Sequence, residues 1–311
     1  MPIGAAEPEW RALRRLEERF GPELRRRIER ALAALREAPL SNLALAYLER
    51  GDIQGVIDAM PWLVLGIDLD REVKAILLLA REAGARIGQR YRVQKAGPAV
   101  GRRPGALQVA PRPGAVNPAA LRATGRQIAD LVTGVTDETK AAIRELIERG
   151  RREGVTVRET ARDIRQLVGL NRPQTVALQN YRAGLEAQGL SPARIERLVA
   201  QRTAKGIRYR AEVISRTETL RAANDGTRAE WQQAIADGTL NRDVRQVWVA
   251  SADACPICRA LDGRAVTVGS AFTSSIHTRG PGQAAIVTRT VDGPPQHPNC
   301  RCAVSLEVEA A

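Results

Sequence analysis

Aromatic side chains are scarce in this chain of 311 residues, because phenylalanine, tryptophan and tyrosine together make up only 3% of it. Cores must therefore be built mainly from alanine, leucine, valine and isoleucine, which favours helices packed on helices over a β-sandwich. Hydrophobic residues make up 44% and charged residues 27%. This balance supports packed cores and excludes wholesale disorder, and the length is enough for two domains.

Long hydrophobic runs and a secretory signal are also missing. The most apolar run, residues 60–69, is interrupted by Pro61 and Asp68 and is far shorter than the roughly 20 residues that span a bilayer. Residues 1–10 have neither a basic start nor an apolar core. We therefore expect a protein that is made and used in a cytoplasm without membrane contact. In that compartment four cysteines favour a metal site or free thiols over disulfides.

Acidic residues are absent between Glu82 and Asp130. The same stretch contains nine cations that are candidates for binding a polyanion: Arg86, Arg90, Arg92, Lys95, Arg102, Arg103, Arg112, Arg122 and Arg126. They equal most of the net charge of +13. Two partners fit them, double-stranded DNA and an acidic protein surface. High arginine usage also follows from a GC-rich genome, so the charge alone does not decide between these interpretations.

The motifs of common enzymes are missing as well. There is no P-loop, no G-x-S-x-G motif and no dinucleotide fingerprint. The only histidines are His277 and His297, so the H-E-x-x-H metalloprotease motif cannot occur. A nucleobase deaminase would need H-x-E before P-C-x-x-C, whereas here Cys255 precedes Pro256. We predict that the protein is not an enzyme and has no small-molecule substrate.

The periodicity of apolar residues predicts an α+β protein that is mostly α-helical. Steps of three and four dominate the N-terminal and central parts, whereas alternation with a period of two follows Gly238. Four strands are predicted from this alternation, at Val247 and Val249, at Val266 and Val268, at Ile286, Thr288 and Thr290, and at Cys302, Val304, Leu306 and Val308. Proline and glycine crowd the stretch between the two helical parts. The predicted division is an N-terminal helical bundle (1–96), a basic Pro/Gly-rich linker (97–118), a central helical region (119–240) and a small antiparallel β module (241–311).

Local signals place several helix boundaries. Gly21-Pro22 is expected to break or kink the first helix. Thr136 is predicted to cap a helix that opens with two acidic residues. Thr156 and Glu159 have capping-box spacing, and Ser191 precedes a proline at the first helical position.

All four cysteines lie in the predicted β module, in two short groups. The first is Cys255-Pro256-Ile257-Cys258, and the second is His297-Pro298-Asn299-Cys300-Arg301-Cys302. Two ligand pairs separated by a longer loop are typical of tetrahedral zinc. Five candidate donors compete for four places. Four cysteines are slightly favoured, with His297 either substituting for one of them or orienting a ligand from outside.

Other interpretations of the cluster remain. The thiols could pack a core in the reduced form without metal, or they could form disulfides in a particle exposed to air. A catalytic zinc ion is disfavoured because the nearby sequence supplies few carboxylates and no second histidine pair. We predict a structural zinc site formed from Cys255, Cys258, His297, Cys300 and Cys302.

The same residues resemble the C-terminal signature of the phage Mu F-like head-morphogenesis family. The signature comprises Trp248-Val249-Ala250-Ser251-Ala252-Asp253-Ala254-Cys255-Pro256-Ile257-Cys258, then Leu261-Asp262-Gly263, then Pro294-Pro295-Gln296-His297-Pro298-Asn299-Cys300-Arg301-Cys302. Upstream, Arg216-Thr217-Glu218-Thr219 with Asn224, and Val135-Thr136-Asp137-Glu138-Thr139, are similar to earlier parts of that family. The resemblance covers about residues 120–306.

This resemblance implies a structural minor head protein of a phage, associated with the portal protein and located in the virion after assembly in the host cytoplasm. It also implies that the Cys/His cluster stabilises a small fold. The basic stretch would then lie near packaged DNA and acidic portal surfaces. The alternative is a zinc-ribbon DNA-binding or packaging accessory protein, which should carry arginines and lysines clustered around the cysteine pairs. A metal-dependent hydrolase or toxin is a third and weaker alternative.

Overall fold

A computed structural model describes residues 7–38, 40–96, 118–280 and 283–307. The helices are α1 (Glu7–Glu37), α2 (Asn42–Glu49), α3 (Ile53–Asp58), α4 (Trp62–Ala96), α5 (Pro118–Glu153), α6 (Val157–Leu167), α7 (Arg172–Ala187), α8 (Pro192–Ala236) and α9 (Pro256–Arg259). The strands are β1 (Arg245–Val249), β2 (Ala265–Thr267), β3 (Phe272–Gly280), β4 (Gln283–Val291) and β5 (Ala303–Glu307). The predicted α+β class, mostly helical with a C-terminal antiparallel part, is confirmed. Among these helices, none has a stretch long and apolar enough to cross a membrane.

Two of the predicted helix starts are confirmed. The Thr156 side chain accepts from the Glu159 backbone, and the Glu159 side chain accepts from the Thr156 backbone, which completes a capping box at the start of α6. Helix α8 begins at Pro192, directly after Ser191. Asn171 caps α7 in the same way with Gln174, a helix start that was not predicted.

The boundary predicted at Thr136 is wrong, and so is the break predicted at Gly21-Pro22, while the kink predicted there as the alternative stays a prediction. Thr136 lies inside α5, where it is buried, and the helix continues to Glu153. The buried apolar face of α5 includes residues on both sides of Thr136, namely Val135, Ala142 and Ile143. Packing of this face therefore overrides the local N-cap signal. Similarly, α1 continues through Gly21-Pro22 without a break.

The chain divides into two compact units, each formed from segments that are distant in sequence. The first unit comprises Met1–Pro22, Ala75–Thr124 and Val213–Ala311, and the second comprises Glu23–Lys74 and Gly125–Glu212. The division of the chain into four regions, with boundaries after residues 96, 118 and 240, stays a prediction. Residues 97–117 of the predicted linker lie outside the described part of the chain.

The strands belong to the first unit and form two sheets. β1 lies between β2 and β5 in a three-stranded antiparallel sheet, with Arg245 opposite both Thr267 and Glu307. β3 and β4 form a separate antiparallel pair; the alternation had predicted β4 but not β3. Trp248 and Phe272 contact edge to face, with ring centroids 5.3 Å apart. Together with Trp231 they are the largest side chains of the core beneath the Cys/His cluster.

Helices α4 and α8 cross very closely in the first unit. A Cβ atom on Gly84 would overlap the carbonyl oxygen of Ala223, and one on Gly226 would overlap that of Arg81. The close approach lets the hydroxyl of Thr227 donate to the Gly84 carbonyl oxygen at 2.9 Å. Glycine is required at this crossing because no larger residue leaves room for the two backbones.

Candidate metal centre

The first cysteine pair lies on the short helix α9. Cys255 is the N-cap residue and Pro256 occupies the first helical turn. The Cys255 sulfur accepts no capping hydrogen bond from the helix. Proline suits this position because the first turn of a helix does not need its backbone N–H, which proline lacks, and because its fixed φ angle is close to the helical value. The turn brings the Cys255 and Cys258 sulfurs within 4.8 Å of each other.

The second group lies on the loop that leads into β5. The Cys300 N–H donates to the His297 carbonyl oxygen at 3.1 Å, which closes a turn. Asn299 adopts a φ of 65° within it, a left-handed conformation that asparagine tolerates better than most residues. The His297 Nδ1 atom lies 2.7 Å from the Pro298 carbonyl oxygen. Because that oxygen can only accept, Nδ1 carries the proton and the lone pair of the neutral ring is on Nε2.

The structure brings all five predicted donors together as two triads that share Cys258. In the first triad, His297 Nε2 lies 3.1 Å from the Cys255 sulfur and 3.2 Å from the Cys258 sulfur. In the second, the sulfurs of Cys258, Cys300 and Cys302 lie within 4.8 Å of one another, and Cys258 and Cys300 are 3.7 Å apart. Among the described residues, no four of these donor atoms all lie within 4.8 Å of one another.

These separations and donors suit a tetrahedral metal ion. Zinc bonds to sulfur at about 2.3 Å, which places two tetrahedral sulfur ligands about 3.8 Å apart. The Cys258–Cys300 distance is close to this value, and the lone pair of His297 faces two sulfurs. All four cysteines are free thiols, and Cys258, Cys300 and Cys302 are buried. The donor set therefore fits zinc.

Hydrogen bonds among the thiols lower the pKa of one cysteine and raise that of another. The pKa of Cys300 falls far below that of a free thiol because Cys258 and then Cys302 hydrogen-bond to its sulfur. The pKa of Cys258 is raised by its own hydrogen bonds with Cys300 and then with Cys302. The cluster without metal thus favours one thiolate supported by neighbouring thiols. A divalent cation would replace the shared protons and stabilise several thiolates at once.

Salt bridges from two helices hold the second loop in place. The Arg216 Nε atom of α8 lies 2.6 Å from the Glu17 carboxylate of α1, and its Nη1 donates to the Asn299 side-chain oxygen at 2.6 Å. Arg301 contacts the same Glu17 carboxylate at 3.5 Å and that of Asp253 at 2.6 Å. Glu17 therefore joins α1 to the loop that contains His297 and the last two cysteines.

The start of α1 also covers this loop. The Trp10 indole N–H donates to the Arg301 carbonyl oxygen at 2.9 Å, between the last two cysteines. Leu13 packs in one buried cluster with Tyr91, Val249 and Ala303. Sequence reasoning missed the roles of Trp10, Glu17 and Arg216. No local motif could have revealed them, because Trp10 and Arg301 are 291 positions apart.

The structure describes the side chains of five of the nine predicted polyanion-binding residues. Arg86, Arg90 and Arg122 are exposed in the first unit, and Arg126 is exposed in the second. Arg92 is partly buried and forms a salt bridge with Glu230 at 3.5 Å. The side chain of Lys95 and the residues Arg102, Arg103 and Arg112 lie outside the described part. Among the members of the stretch whose side chains the structure describes, Arg92 is therefore the one whose charge is compensated by an ion pair.

Comparison with known proteins gives one match. A family model described as "Phage Mu protein F like protein" matches residues 141–305, which is more than half of the chain. The chain belongs to this family. No curated protein and no solved structure matches it.

The match to the family model confirms the predicted family. The matched region contains all five donors of the candidate metal centre. Trp10 and Glu17 lie outside that region, so the centre is supported by a segment that the family model does not include.

Proposed function

We propose that this protein is a structural minor component of a phage head, associated with the portal protein and located in the virion after assembly in the host cytoplasm. Family membership is the observation that supports this proposal, because the Mu F-like match indicates a phage head-morphogenesis protein. The role is one of assembly, without substrate turnover.

The assembly role is tested by locating the protein in particles. Portal protein from the same phage or prophage genome is co-expressed with the full chain and purified through a tag on the portal. We expect the chain to copurify, and we expect mass spectrometry of assembled heads to find it in modest copy number. Absence from purified heads, together with failure to copurify with the portal, would overturn the proposal.

A bound zinc ion would stabilise the β module. It would join the α9 turn to the loop before β5 through Cys255, Cys258, His297 and Cys300, with Cys302 as the alternative fourth ligand. His297 is included because its protonated Nδ1 faces the Pro298 carbonyl oxygen and its Nε2 faces two sulfurs. An oriented imidazole of this kind is typical of metal-binding histidines.

Zinc binding is tested on protein purified without chelators. Elemental mass spectrometry is expected to find about one zinc ion per chain. Cobalt substitution then reports the ligands, since replacing a sulfur ligand changes the thiolate-to-cobalt absorption. His297→Ala and Cys302→Ser are compared: the variant that leaves the spectrum unchanged does not remove a ligand. Absence of any metal would overturn the zinc proposal and leave family membership intact.

The alternative of a free zinc-ribbon DNA-binding protein is not favoured by the charges around the cluster. Arg216 and Arg301 are the arginines that line the cleft over the cysteines, and both contact the Glu17 carboxylate. Cations neutralised within the fold contribute little to attraction of a phosphate backbone. We propose instead that exposed cations elsewhere, including the basic stretch from Arg86 to Arg126, lie near packaged DNA.

A further inference from the structure

The outward face of the first half of α8 is a row of polar residues dominated by cations. Its members are Arg194, Arg197, Gln201, Lys205 and Arg208, all of which are exposed. They follow one another at steps of three and four, so they share one face of the helix. The residues that α8 buries over this span are Ile195, Val199, Thr203 and Ile207, on the opposite face. This set of five is called the α8 row below.

The charges of the α8 row are mostly uncompensated. Arg194, Arg197 and Lys205 have no ion-pair partner among the residues that the structure describes, and Arg208 makes one surface pair at 3.6 Å with Glu29. The one acidic residue within the span is Glu196. It lies beside the row and pairs with Arg182 at 2.7 Å and Arg162 at 3.3 Å. The row therefore presents four cations to solvent without an interposed carboxylate.

The shape of the row favours a phosphate backbone over a protein surface. It extends about 21 Å along the helix at 1.5 Å per residue, so it is a line rather than a compact patch. Its exposed aliphatic neighbours are the small residues Ala193, Ala200 and Ala204, so the row lacks the central cluster of several large side chains that protein interfaces use as anchors. The amide of Gln201 and the hydroxyl of Tyr209, which is 58% exposed beside the row, are additional donors suited to phosphate.

We propose that the α8 row binds the phosphate backbone of double-stranded DNA. This inference rests on the proposed association with packaged DNA and adds to it a specific surface inside the Mu F-like region, distinct from the Arg86–Arg126 stretch. We expect binding to be independent of base sequence, because a line of charges contacts phosphates rather than base edges.

The test compares three forms of the full chain by fluorescence anisotropy with a labelled duplex over a range of salt concentrations. The first is the wild type, and the second replaces Arg194, Arg197, Lys205 and Arg208 with glutamine, which preserves helix propensity. The third makes the same change of charge at four exposed arginines elsewhere: Arg19, Arg50, Arg152 and Arg242. Thermal unfolding of all three verifies that they are folded.

We expect the α8 variant to bind at least about tenfold more weakly at roughly 0.1 M salt. Its log–log salt slope should become less negative by about three to four, since each lost phosphate contact accounts for about 0.9. The control variant should keep a slope close to that of the wild type. This combination of results would support the α8 row as the DNA-binding surface.

Three results would overturn the inference. If the α8 variant binds like the wild type, while replacing Arg86, Arg90, Arg122 and Arg126 abolishes binding, DNA association stands and the surface is wrong. Absence of wild-type binding at about 50 mM salt would remove both the inference and the proposed DNA association, because contacts of this kind are strongest at low salt. Competition by polyglutamate as effective as that by DNA at equal charge would indicate an acidic protein as the partner.

Discussion

The β module of the first unit and the helices α6 and α7 of the second are stabilised in different ways. Each of these helices begins with a capping box formed by residues three positions apart, Thr156 with Glu159 and Asn171 with Gln174. The module depends on contacts between residues that are far apart in the chain, such as Cys258 with Cys300 and Trp10 with Arg301. Local interactions define the helices, whereas distant groups must meet before the module is stable.

This difference follows from how little the module can bury by itself. Its three-stranded sheet has strands of only three to five residues, and the core beneath it includes Cys258, Cys300 and Cys302. Small cores of this kind usually need a metal ion or another cross-link for stability. Loss of a cross-link should therefore affect the module much more than the helices of the second unit.

The largest expected effect is that of Cys258→Ser. Cys258 belongs to both triads, so its loss leaves neither complete and should abolish metal binding. We expect the module to lose at least about 4 kcal/mol of stability, a fraction of the roughly 10 kcal/mol that structural zinc contributes in small domains. Hydrogen exchange should show faster exchange in β1 and β5, with α6 and α7 unchanged. Equal loss of protection in both regions would contradict the comparison.

Gly226→Ala is expected to destabilise the first unit by about 3 kcal/mol, because the added methyl group meets the Arg81 carbonyl oxygen at the helix crossing. The matched control is Gly134→Ala in α5, where a Cβ meets no atom within 4 Å. That control should be neutral or stabilising by up to about 1 kcal/mol, since alanine favours helix. Chemical denaturation measures both. Similar destabilisation by the two variants would show that close packing is not the cause.

Glu17→Gln is expected to have a smaller effect that is specific to the metal centre. It weakens the salt bridges from Glu17 to Arg216 and Arg301 while leaving every candidate ligand in place. Substitution of residues that orient metal ligands typically weakens metal affinity by about tenfold or more. Competition with a chelator would measure the affinity. Glu18→Gln is the control because, within the described part of the chain, Glu18 forms an ion pair with Arg14 alone, at the surface. Equal metal affinity in the two variants would remove Glu17 from the support of the centre.

The smallest expected effect is that of Thr156→Ala at the start of α6, about 1 kcal/mol from the lost N-cap. The change should appear as faster hydrogen exchange in α6 and leave metal content unchanged. A loss of zinc in this variant would contradict the separation of the two regions.

The capping box also has a pH dependence with a definite sign. Hydrogen bonds from the Thr156 side chain and backbone lower the pKa of Glu159. A carboxylate with a lowered pKa in the folded state stabilises at pH values above its unfolded pKa of about 4.3, and this contribution is lost as the pH falls through the folded value. Thr156→Ala should therefore lose this acid-dependent part of α6 stability, which a pH series of hydrogen exchange would detect.

Much of the architecture could be predicted because its causes are local. The three- and four-residue spacing of apolar positions predicted the helices, and alternation predicted β1, β2, β4 and β5. The Thr156 cap was correct, whereas the Thr136 cap was not, because its neighbours Val135 and Ala142 are buried against the rest of the fold. A signal of about 1 kcal/mol is outweighed where a helix can bury an apolar face.

Residue type and short spacing were enough to predict the family, the mostly helical α+β class and the five candidate donors. The division of those donors into two triads around Cys258, and the contact of His297 Nδ1 with the Pro298 carbonyl oxygen, became visible in the folded chain. The tertiary structure alone placed Glu17 and Trp10 against the metal-binding loop and the cations of the α8 row on one outward face. These features depend on distances between residues far apart in the chain, and such distances are set by packing rather than by local sequence.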